Sequence, residues 1–251
     1  MRRAARRAWA LLCLWLAGAA PALSGPRACV TDWQTVGEVC LVRDPSGPVY
    51  GHDVLGDVPE WHFLSLTSPD PLRPPVRLRQ PGHIFEDIAP RFADVTGDGF
   101  PEVIAVQADF ERGARLAVFS AEGGTLRLLA ATPHIGQRHR WLAVVGIADM
   151  DGDGAVELAY IDRPHLAKRL RVWRWQEGGL SHVADMDGLT NHRIGWNYIA
   201  GGWRACSGEM ILASADWTHI RAISLRGGRL EAADLGPLGP EGLAPALRCP
   251  G

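Results

Sequence analysis

Two stretches decide how the chain is read: FADVTGDGFPEVI at 92–104 and IADMDGDGAVELA at 147–159. Their first aspartates, Asp94 and Asp149, are 55 residues apart. A second landmark keeps that interval. Glu122-Gly123-Gly124 recurs as Glu177-Gly178-Gly179, and Arg226-Gly227-Gly228 follows 49 residues later. Matched apolar runs lie between the landmarks at 103–106, 158–161 and 210–213. Each precedes a second run, at 116–119, 170–173 and 220–225, then a Gly-Gly turn and a third run near Leu126, Leu180 and Leu230. Short runs of leucine, β-branched and aromatic residues between turn signals predict strands. No stretch shows a capped stripe of 3.6-residue period. Each copy is therefore a meander of about four strands. Such a unit cannot bury its own faces, so neighbours must stack. The predicted fold is all-β and propeller-like, with about four to five blades of four antiparallel strands. Residues 49–79 form the leftover blade, with strands near 61–66 and 76–79. The competing architecture is a β-sandwich carrying the two loops.

Counted from its first aspartate, each loop presents side-chain oxygens at positions 1, 3, 5 and 9. Odd spacing in a tight turn points such oxygens at one centre. Gly97, Gly99, Gly152 and Gly154 permit the positive φ that the wrap needs. Oxygen-only donors in an irregular loop favour Ca²⁺, with the backbone carbonyls of Phe100 and Ala155 completing each shell. Neither loop is an EF-hand: position 12 is Ala105 in one and Tyr160 in the other, where a bidentate glutamate is needed.

The motif D-x-[D/N]-x-D-G-x-x-[D/E] in a β repeat resembles the FG-GAP or VCBS-type repeat of integrin-α-like propellers. The resemblance spans residues 82–231. It implies Ca²⁺ between two strands of a blade and a binding or adhesion role outside the cytoplasm. Carried over by position, the ligands are Asp94, Thr96, Asp98 and Glu102, then Asp149, Asp151, Asp153 and Glu157, for two calcium ions. Thr96 departs from the usual carboxylate or amide, and both loops end in glutamate where the family often has aspartate. With four carboxylates against three, the second loop is expected to bind more tightly. In the third copy only Glu209 aligns with a ligand, and Cys206 stands where the loop should be.

Residues 1–22 read as a secretory signal: four arginines, then an apolar run of about 12 residues, too short for the ~20 of a spanning helix. The mature domain is expected to cover 23–251, secreted or periplasmic and monomeric, without a membrane span. It retains Cys29, Cys40, Cys206 and Cys249, an even number that suggests two disulfides after export. Three pairings are possible. Cys29–Cys40 and Cys206–Cys249 are favoured because each closes a local loop, worth roughly 3 and 4 kcal/mol by chain entropy.

The formal charge of the whole chain is −2. Without the signal, 22 basic residues face 28 acidic ones, giving −6. That balance excludes a nucleic-acid binder with a basic face. Glycine and proline number 29 and 18, well above average usage, which suits turns between short strands. There is no nucleophile elbow, P-loop or zinc-protease motif. His83 with Glu86 and Asp87, and His139 beside Arg138 and Arg140, are the densest polar clusters, and both read as solvated loop. The tryptophans at 141, 173, 175, 196, 203 and 217 read mainly as packing between blades, with Trp196 and Trp217 as candidates for a binding face. The expected function is a non-catalytic, calcium-binding adhesion or interaction module for a protein or glycan ligand. The alternatives are a propeller enzyme acting on carbohydrate or another small substrate, and a structural envelope component.

Overall fold

The matched runs become the strands of four antiparallel sheets in a computed structural model that describes residues 26–249. The export signal predicted at 1–22 lies outside the described residues. The first sheet runs in order through β1 (Arg27–Asp32), β2 (Gly37–Val42), β3 (Phe63–Thr67) and β4 (Val76–Leu78). The second holds β5 (His83–Phe85), β6 (Arg91–Ala93), β7 (Glu102–Asp109), β8 (Gly113–Ser120) and β9 (Arg127–Ala131). The third is β10 (Leu142–Ala148), β11 (Glu157–Asp162), β12 (Arg169–Gln176) and β13 (Gly179–Asp187). The fourth is β14 (Leu189–Thr190), β15 (Gly202–Arg204), β16 (Glu209–Ser214), β17 (His219–Arg226) and β18 (Arg229–Pro237).

One plan underlies all four. In the third sheet the first strand, β10, is continuous. In the second it is split: β5 and β6 both pair with β7, and 86–90 bulge out between them. The fourth repeats the split on a larger scale, with β14 and β15 both on β16 and residues 191–201 between them. The central strands β7 and β11 are buried at every position, which explains their unbroken apolar reading. The outer strand β18 is largely exposed.

Stacking supplies the core. Val39, Leu41, Leu64 and Leu66 of the first sheet pack on Val103, Ala105 and Phe119 of the second. Ile104, Val106 and Leu116 on the other face meet Leu142, Val144, Leu158 and Tyr160 of the third. Ile161, Leu170 and Val172 then meet Met210, Leu212 and Ile223 of the fourth. Fully burying one such side chain contributes about 1.5–3 kcal/mol. The far face of the fourth sheet is covered by the C-terminal segment, where Leu243 is buried and Leu238 and Leu247 pack beside it. That segment ends in α1 (Ala244–Leu247) and in Cys249, bonded to Cys206. Cys29 and Cys40 are bonded directly across β1 and β2.

The first and fourth sheets meet through connections. Gly195 N–H donates to Val54 O at 3.1 Å, and Asn197 Nδ2 to Asp57 Oδ1 at 3.0 Å. Among the described residues no buried apolar cluster joins those two sheets. The predicted propeller-like stack holds, with four blades. The leftover blade expected at 49–79 begins earlier, at β1. Its first hairpin, 27–42, carries the bonded Cys29 and Cys40, while 43–62 is a connection rich in proline and glycine. No helix among the described residues is long and apolar enough to cross a membrane.

Candidate metal loops and binding face

The two acidic loops have the same backbone wrap. In the first, Asp94 accepts from the N–H groups of Gly97 (2.8 Å), Asp98 (3.1 Å) and Gly99 (2.9 Å). In the second, Asp149 accepts from Gly152 (2.7 Å), Asp153 (3.1 Å) and Gly154 (3.0 Å). Asp98 and Asp153 then take the N–H of Phe100 and Ala155, which stand half-buried at the closing turn. The four glycines carry φ between +76° and +91°, as the wrap requires. Glu102, at the start of β7, takes the N–H of Val95 (2.8 Å) and Thr96 (3.1 Å), and Glu157, at the start of β11, takes that of Met150 (2.7 Å). Burial pushes both glutamates above the ordinary carboxylate range.

The centres differ. In the second loop the guanidinium of Arg174, directly across the ladder from Glu157, bonds Asp151 at 2.6 Å, Asp153 at 2.8 Å and Glu157. The corresponding position opposite Glu102, one step beyond the Val103–Phe119 pair, is Ser120. Among the described residues no basic side chain pairs with Asp94, Asp98 or Glu102. Asp149, Asp151 and Glu157 offer oxygens within 4.8 Å of one another, and Asp151 Oδ1 is buried without a hydrogen-bond partner. The donor set therefore suits a cation, and Arg174 already supplies one. In the third copy Arg204 pairs with Glu209 and reaches the carbonyl of Ala246 at 2.8 Å, while Cys206 fastens the turn to the C-terminal segment.

At the opposite end of β11 from Glu157 lies a second constellation. A cavity of about 290 Å³ is lined by His52, His139, Trp141, Arg163, His165 and Ile194 among others. It adjoins one of about 400 Å³ lined by Arg193, Trp196, Tyr198, Trp217 and Leu243 among others. Trp196 and Tyr198 stack at 4.7 Å, and the Arg193 guanidinium lies 4.6 Å over Trp217. His165 bonds His192 at 3.0 Å, and burial holds the His165 imidazole down at about 4. Among the described residues five non-glycine positions adopt left-handed backbone, and three of them, His139, Arg163 and Trp217, line these cavities. Such conformations cost of order 1–3 kcal/mol each and cluster at functional sites.

Behind the smaller cavity the 86–90 bulge organises the stack. Trp141 Nε1 donates to the carbonyl of Glu86, and Trp61 Nε1 to that of Asp87, both at 2.8 Å. Asp87 is fully buried and held by Arg91 at 2.7 and 2.9 Å. Glu86 bonds His52 at 2.6 Å, and burial pushes its carboxyl up to about 7. These residues, read from sequence as solvated loop, are interior. The available signal was a pair of acids set inside the apolar run 84–89. The cavity histidines, His52, His139 and His165, come from three separate connections, and no spacing announced them.

Four stacked antiparallel meanders with wrapped acidic loops define a repeat β protein of propeller type. The sequence profile described as FG-GAP-like repeat matches residues 94–160, from the first aspartate of one loop to the strand after the other. The matched segment runs from the acidic loop of the second blade into the central strand of the third. No curated protein matches it.

Proposed function

We propose that the chain is an exported, non-catalytic interaction module. It binds a partner protein through the face formed by the two cavities, and is stabilised by calcium in its first acidic loop. The observation that carries the binding face is the convergence of strained backbone, stacked aromatics and Arg193 beside exposed apolar side chains. Ile194 is 73% exposed and Leu166 61%. Tryptophan, tyrosine and arginine are the residues that dominate protein interfaces. Two disulfides support export to an oxidising compartment.

Calcium in the first loop is supported by three carboxylates that lack a basic partner around a preformed wrap. The residues that would hold the ion are Asp94, Thr96, Asp98 and Glu102, with the Phe100 carbonyl. When bound, the ion supplies positive charge that joins the loop to β7. In the second loop Asp149, Asp151, Asp153 and Glu157 with the Ala155 carbonyl form the parallel set, but there an ion competes with Arg174. The expected ranking of the loops is therefore reversed in this proposal.

The test is cross-linking of the mature protein to an envelope protein fraction, with a glycan array run in parallel. Trp196→Ala with Trp217→Ala should abolish the cross-linked species while far-ultraviolet circular dichroism and the cooperativity of the thermal melt stay native. Undiminished cross-linking, or capture of a glycan alone, would overturn the protein-binding reading.

A further inference from the structure

His83, Asp109 and His134 meet at the hairpin end of the second sheet, far along β7 from the acidic loop. His83 opens β5 and lies directly opposite Asp109 in the ladder. His134 follows β9, where Thr132 and Ile135 donate back to β8. One nitrogen or oxygen from each of the three lies within 4.8 Å of the others.

The hydrogen bonds around this triad fix what each group can offer. His83 Nδ1 is 2.9 Å from the carbonyl of Pro81, and His134 Nδ1 is 2.9 Å from that of Gly113. A carbonyl only accepts, so both Nδ1 atoms carry the proton and both Nε2 atoms present a lone pair in the neutral ring. Both Nε2 atoms are buried and have no hydrogen-bond partner. The His83 side chain is only 8% exposed, and its Nε2 stands 3.4 Å from Asp109 Oδ2.

Asp109 is equally prepared. Its Oδ1 accepts the N–H groups of Glu111 and Arg112, both at 2.9 Å, and its Oδ2 accepts Arg112 Nη2 at 2.7 Å. Burial opposes ionisation, but these bonds win and hold the carboxyl well below its usual range. Desolvation and the nearby Arg115 and Arg112 charges lower His134, which favours its neutral ring. Arg112 is 58% exposed at the hairpin tip, and beside its bond Asp109 Oδ2 retains a second lone pair.

We propose that His83, Asp109 and His134 bind a divalent transition-metal ion, with zinc as the fitting probe. Two imidazole nitrogens and one carboxylate oxygen suit Zn²⁺ or its first-row neighbours and not Ca²⁺. The backbone carbonyls on Nδ1 do what outer partners do in metal sites: they fix the tautomer and aim the ring. The fourth position is left for water. This site is separate in place and in chemistry from the acidic loops.

The test is calorimetric titration of EDTA-stripped protein with Zn²⁺ in millimolar calcium, which keeps the first acidic loop occupied. The wild type should take up one equivalent. His134→Ala and His83→Ala should each weaken it by at least ~10-fold. His165→Ala, which alters the other histidine cluster, should leave it unchanged. Co²⁺ should give visible ligand-field absorption that is absent in His134→Ala. His134 sits at a half-buried connection, so that variant keeps the test alive if His83→Ala fails to fold. No uptake by folded wild type, or uptake and a cobalt spectrum that are the same in wild type and His134→Ala, would overturn the site.

Discussion

The first acidic loop and the second wrap around their leading aspartate with nearly the same hydrogen bonds, yet they solve the problem of charge differently. In the second, three of the four carboxylates, Asp151, Asp153 and Glu157, bond Arg174. In the first, Glu102 stands opposite Ser120 in the ladder, and among the described residues no basic side chain pairs with Asp94, Asp98 or Glu102. The third copy has gone further, with Arg204 on its one remaining glutamate and a disulfide at the turn. The lesson is that counting acids in a loop measures the charge to be compensated and not the affinity for an ion. A strand partner 17 residues away decides which kind of cation does it.

The largest effect should come from removing the arginine. Arg174→Met leaves Asp151, Asp153 and the fully buried Glu157 without their counter-charge. Breaking such a pair costs about 3–5 kcal/mol. Denaturant melts in chelator should show that loss, and millimolar calcium should recover most of it by entering the vacated centre.

Next is the third copy. Cys206→Ser with Cys249→Ser should lower stability by up to about 4 kcal/mol. The same melts should show that this loss is indifferent to calcium, because that staple is covalent.

The far end of the sheets should respond to pH and not to calcium. Glu86 titrates at about 7 in the fold and near the ordinary carboxylate value when unfolded. Its stabilisation is therefore full below the unfolded value and lost as pH rises to about 7. Glu86→Gln should remove that slope, worth on the order of 2–3 kcal/mol by linkage, in melts across pH 4–8. His165 acts oppositely. Held down at about 4, it contributes stability above its unfolded value near 6.5 that disappears as pH falls to about 4.

The smallest change should be the most specific. Ser120→Arg recreates the second loop's pairing in the first. Stability without calcium should shift by about 1 kcal/mol or less, while the calcium-dependent rise in melting temperature should vanish.

Much of this molecule is legible in the sequence because its repeats are local. The loop aspartates, the strands after them, the Gly-Gly turns and both disulfides all follow from spacing over a few tens of residues. Arg174 was not legible as a loop component, since it joins Glu157 only through the register of β11 and β12. Glu86 and Asp87 looked solvated because acids usually are, and their burial depends on indoles sent from the neighbouring sheets by Trp141 and Trp61. The hairpin 27–42 was missed because it lacks the acidic loop that marks the later copies.

Calcium titration by calorimetry of four proteins, the wild type, Asp98→Ala, Asp153→Ala and Arg174→Met, tests the central contrast most directly. The wild type should bind one ion, Asp98→Ala none, and Arg174→Met two. Wild-type binding that survives Asp98→Ala but disappears in Asp153→Ala would place the ion in the second loop and contradict the account.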